Sequence, residues 1–154
     1  MHATKIIFVE TRSEEKRNLL CKWVEHFYEE GRKIQVSVDS TMAAQHLDQL
    51  LWTFSQGSFI PHKIVSTAKP QTTLEPVVIA VGEIKLEEFD VLVADESIHL
   101  DSMADFVVVV HFILMDDPEK RQESRLLWQS AKEQGFQVEH LPYASNHPVP
   151  RISQ

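Results

Sequence analysis

The stretch "DFVVVVHFILMDD" (Asp105–Asp117) is apolar for ten residues in succession, broken only by His111. A half-buried strand would alternate apolar and polar side chains, and a surface helix would keep a polar face. A short β-branched run with neither pattern reads as a strand covered on both faces, the environment of a parallel sheet enclosed by helices. At ten residues it is far too short to span a bilayer.

The flanking sequence repeats this logic. Asp117 followed by Pro118 and Glu119 reads as a helix start: a capping carboxylate, a proline at the first helical position and an acid near the positive helix end. That helix runs to Gln134 and stops at Gly135, and "FQVEHL" follows as a last strand. Upstream, "KIIFV", "KIQVSV", "HKIVS", "EPVVIAVG" and "DVLVAD" read as further strands. Between the first two, Thr11 or Ser13 can cap a helix with Leu19, Leu20, Trp23, Val24 and Phe27 on one face, closed by Gly31. Asp39 or Ser40 opens another helix, with Ala43, Leu47, Leu50, Leu51 and Phe54 inward. Alternating strands and helices predict an open, mostly parallel sheet with helices on both faces. The expected organisation is a single α/β domain over residues 1–142 and an extended tail over 143–154, where Pro148 and Pro150, just after Pro142, leave no apolar pattern.

The 154 residues suit one domain. A net charge of -8 repels nucleic acid as a whole. One cysteine, Cys21, allows neither an internal disulfide nor a cysteine-rich zinc site, which fits a reducing cytoplasm. The N-terminus carries no signal pattern.

The first strand-to-helix turn, "FVETRSEEKR", has no glycine and places Glu10, Glu14 and Glu15 where a nucleotide phosphate would sit. A phosphate loop needs glycines so that backbone N–H groups can approach the anion. None of the eight histidines is paired at the i, i+4 spacing of a helical metal site. His111 reads as a satisfied core histidine, Cys21 as a surface or half-buried thiol, and Asp116–Asp117 as helix capping. No catalytic constellation, metal site or cofactor motif emerges. The alternative to a binding protein is an α/β enzyme with its site in the helix-poor segment 63–105.

Two surface features stand out. Trp52 lies roughly 150° from the centre of the apolar sector of its helix, and so points away from the core. It is followed by Phe59, Ile60 and Pro61 in a connection that should be polar. An exposed aromatic cluster of this kind marks a protein interface. On the last helix, Leu127 with Leu126, Ser130 and Ala131 is expected to face inward. Arg121, Arg125 and Lys132 then project within about 40° of one another on the far side, with Trp128 at their border. A cation stripe edged by an aromatic suits an acidic peptide ending in an apolar side chain.

In "RKIQVSVDSTMAAQHLDQLLWTFSQGSFIPHKI", in "EPVVIAV" and in the last helix closing on Gly135–Phe136, the chain resembles the chi subunit family of bacterial DNA polymerase III. The resemblance implies a Rossmann-like fold without catalytic activity or cofactor. It also implies a bridging role in the clamp loader, with no membrane contact and nucleic acid reached only indirectly. One partner would be the psi subunit, or a Rad3-type helicase, on Trp52 and Phe59 with Ile60 and Pro61. The other would be the acidic, Phe-terminated tail of single-stranded DNA-binding protein. The family's Arg, aromatic and Lys for that tail fall on Arg125, Trp128 and Gln129. Trp replaces Tyr at 128 and Gln replaces Lys at 129, with Arg121 and Lys132 nearby to compensate.

Overall fold

The computed structural model describes residues 3–54, 59–66 and 75–143. Its elements in chain order are β1 (Lys5–Thr11), α1 (Lys16–Glu29), β2 (Ile34–Val38), α2 (Thr41–Thr53), β3 (His62–Ser66), β4 (Val77–Val81), β5 (Val91–Ala94), α3 (Leu100–Met103), β6 (Val108–Leu114), α4 (Pro118–Glu133) and β7 (Gln137–Leu141). The seven strands form one sheet in the order β3-β4-β2-β5-β6-β1-β7. Every pairing is parallel, as in Lys5↔Val108 and Lys5↔Gln137 on the two sides of β1.

Strand periodicity sorts the core into two layers. Ile7 and Val9 of β1, Ile34 and Val36 of β2, and Val110 and Phe112 of β6 face α1 and α2. Ile6 and Phe8, Leu92 of β5 and Val109 face the other way, onto Met103, Ala131 and Phe136 from α3, α4 and the turn into β7. A smaller group of Val65, Val78, Ala80, Leu86 and Phe89 fills the β3–β4 side. It is anchored by buried Gln35, whose amide donates to the Ile84 carbonyl and accepts from Leu86 N–H at 3.1 Å.

Helix ends explain the local boundaries. Ser40 accepts from Ala43 N–H at 3.1 Å, and Asp117 accepts from Lys120 N–H at 3.1 Å. α1 departs from expectation. Thr11 belongs to β1, the N-cap is Glu15 without a side-chain cap, and Ser13 instead donates from N–H and hydroxyl to Asp116 Oδ1. Those bonds hold the Asp116 carboxyl below the usual range and tie the β1 exit to the β6 exit. Cys21, expected at the surface or half-buried, is fully buried. α1 packs on β2 and β5 and also against α2, so its covered arc is wider than one apolar stripe. Residues 144–154, the bulk of the expected tail, lie outside the described residues. Tyr143 at its start is tied down, donating from N–H to Glu10 and from its hydroxyl to Glu15.

Candidate protein-binding surfaces

Trp52 sits on the outward side of the last turn of α2. It is 47% exposed and Phe59 is 65% exposed, with ring centroids 5.4 Å apart. The expected exposure and adjacency of the two rings are both found. Beneath them lies a residue the sequence did not single out. The His62 ring stands 4.4 Å from the Trp52 ring. Its Nδ1 is 2.7 Å from the Ile60 carbonyl, and its Nε2 is 3.0 Å from the Asp48 carboxylate. His62 therefore ties the start of β3 to α2 and supports the indole from behind. Ile60, expected on this surface, is only 3% exposed and packs in the larger core layer. It anchors the chain entering β3 while Phe59 remains outside. Pro61 is half-buried.

At the opposite edge of the sheet, α4 turns Ser124, Leu127, Trp128 and Ala131 toward β6 and β7. That i, i+3, i+4, i+7 set is the inward stripe of a helix. Leu126, expected inward, is 53% exposed. Arg121, Arg125 and Lys132 thus flank the Trp128 side of the buried stripe instead of opposing it. Trp128 meets Phe8 edge-on at 5.0 Å and His140 at 6.2 Å, and Lys132 Nζ stands 5.8 Å over its ring.

This arrangement opens a cleft of about 240 Å³. Phe8, Ile113, Met115 and Trp128 give it an apolar lining, with Arg121 and Arg125 on the α4 side and Glu10 and His140 on the β1–β7 side. Among the described residues, neither Arg121 nor Arg125 makes a side-chain hydrogen bond or ion pair. Gln129 is exposed, and neither it nor Lys132 lines the cleft. The sequence indicated the α4 wall but missed the other one. Placing Phe8, Glu10 and His140 opposite α4 requires knowing that β1 lies between β6 and β7.

The C-terminal ends of β5 and β6 form the crevice where an α/β enzyme would hold its ligand. Asp95 fills it, bonded by Arg17 at 3.2 and 3.0 Å and paired with Lys16 at 3.4 Å. The remaining space is about 30 Å³, room for about two water molecules. Beside it, His111 Nε2 lies 2.8 Å from Ser124 Oγ, both buried. Among the described residues no group of three His, Cys, Asp or Glu side chains is placed to hold a metal, and no helix is long and apolar enough to cross a membrane.

Residues 3–139 match the family described as DNA polymerase III chi subunit, HolC. The chain is also 25% identical over 121 residues to DNA polymerase III subunit chi of Haemophilus influenzae, covering 78% of this chain and 82% of that protein. With the parallel α/β sheet and nearly the whole body of the chain matched, this protein belongs to the DNA polymerase III chi subunit family, accessory subunits of the replicative polymerase.

Proposed function

We propose that the chain bridges two partners within the replication machinery. The cleft on α4 takes the acidic, Phe-terminated tail of single-stranded DNA-binding protein. The Trp52–Phe59 surface takes the psi subunit of the clamp loader, or a Rad3-type helicase. The observation that supports this best is a pair of guanidiniums, without an ion-pair partner among the described residues, beside an apolar cleft in a chain whose net charge is -8. A terminal aromatic side chain fits the apolar lining, and its carboxylate fits Arg121 and Arg125 through charge-assisted, bidentate hydrogen bonds. Gln129 adds no charge, so Arg121, Arg125 and Lys132 carry the attraction.

Calorimetry with a tail peptide tests the cleft. Arg125→Ala should weaken binding about ten-fold, equivalent to roughly 1.4 kcal/mol. Trp128→Ala should weaken it at least as much, since the ring supplies apolar area and shape. Affinity should fall modestly as salt rises. Binding that neither substitution disturbs would rule out this cleft as the tail site.

A further inference from the structure

The two walls of the α4 cleft differ in what their charges are doing. On the α4 wall, Arg121 and Arg125 have no ion-pair partner among the described residues and line the cleft. On the facing wall, both carboxylate oxygens of Glu10 are already engaged. Oε2 accepts from His140 Nε2 at 2.6 Å, and Oε1 accepts from the Tyr143 N–H at 2.9 Å. The Glu10 side chain is 18% exposed and lines the same cleft as the arginines, yet it forms no ion pair with them. The fold thus holds a carboxylate in place inside a cleft with an apolar lining. The Tyr143 hydroxyl donates to a second carboxylate, Glu15, at 2.8 Å. Repulsion between carboxylates strengthens where apolar walls displace water.

We infer that Glu10 is a specificity-determining residue that makes the cleft directional. It disfavours a carboxylate on the peptide residue next to the apolar end group. It steers the acidic part of the ligand along α4, past Arg125 toward Lys132, and away from the β1–β7 wall. The inference rests on the reading of this cleft as the site of an acidic peptide tail. It concerns which acidic tails are accepted, not whether one binds.

Two synthetic peptides of equal length and net charge, both ending in Phe, separate these questions. One carries Ala immediately before the Phe and all its Asp residues upstream. In the other, one Asp is exchanged with that Ala. Wild-type protein should bind the first about five-fold more tightly at low salt. Glu10→Gln keeps the size of the side chain and an oxygen for the Tyr143 N–H. It should bring the two affinities within two-fold, mainly by tightening the second peptide. An unchanged ratio in Glu10→Gln, or equal weakening of both peptides, would overturn the inference and leave Glu10 a strut for the strand ends. If neither peptide binds the wild type, the tail-site reading itself falls, and the role of Glu10 with it.

Discussion

His111 stands in the middle of β6 with its ring 5.2 Å from that of Phe8. Burial alone pushes its pKa down from 6.5 to about 4. Above pH 7 the imidazole is neutral folded or unfolded, and its titration has no effect on stability. As pH falls through 6.5 the unfolded chain takes up a proton that the folded chain refuses, so stability drops until pH reaches about 4. The full loss is about 3 kcal/mol, and about 2 kcal/mol of it comes between pH 7 and pH 5. Urea unfolding at those two pH values should show this loss in wild type and a smaller one in His111→Gln. Equal losses would mean that carboxylates alone set the acid sensitivity. Cys21 offers a second test. Burial, with the Asp95 charge nearby, raises its thiol to about 12, so a thiol reagent should label it only as fast as the protein unfolds. Rapid labelling of the native protein would contradict its burial. Trp52 and Cys21 also mark how far single residues can be read from sequence. The outward direction of Trp52 follows from its angle on one helix. The burial of Cys21 depends on α1 being covered from more than one side, which no periodicity within α1 records.

The strands were the most legible elements. The five interior strands β1, β2, β4, β5 and β6 are rich in apolar and β-branched residues, because a strand buried on both faces leaves little room for others, whereas the edge strands β3 and β7 are partly exposed and carry polar residues. The short α3 left no periodic signal, as one helical turn is too brief to carry one. α4 was legible at its ends but not around its circumference. Ala131, read as inward, is buried, but the inward face also takes Ser124, a small polar residue that a count of apolar groups passes over, whereas the conspicuous Leu126 points outward. Ser124 faces inward because His111 offers it a partner on the opposing strand. The cap of α4 gives a prediction for the whole element. Asp117→Ala removes the acceptor for Lys120 N–H and a negative charge at the positive helix end, and should cost about 1 kcal/mol of stability. Asp117→Asn keeps the acceptor and should recover most of that. A chemical denaturation series measures both, and an Asn variant as weak as Ala would assign the effect to charge instead of capping.

At the scale of the molecule, the sheet separates the two surfaces. Trp52 and Phe59 lie beside β3, at one end of the strand order, on the face covered by α1 and α2. The cleft lies over β6, β1 and β7 at the other end, on the face covered by α4. They also occupy opposite poles. α2 runs back against the strands, so its C-terminal turn reaches the pole where β3 begins, whereas Glu10 and Met115 mark the pole where β1 and β6 end. Five strand spacings between β3 and β1 amount to about 24 Å across a densely packed, all-parallel sheet. That distance exceeds the screening length at physiological salt, and no described element spans it as a hinge. The two proposed partners should therefore bind independently. Saturating the cleft with tail peptide should change psi affinity by less than about two-fold, and a complex of all three components should form. Trp52→Ala should cost psi binding at least about 2 kcal/mol while leaving tail affinity and thermal stability nearly unchanged, because a half-exposed ring contributes less to the core than to an interface. Arg125→Ala should do the reverse. A variant at either surface that weakens both partners would mean that the sites communicate through the sheet. Displacement of psi by the tail peptide would mean that they overlap, and a bridge could not be built on this chain.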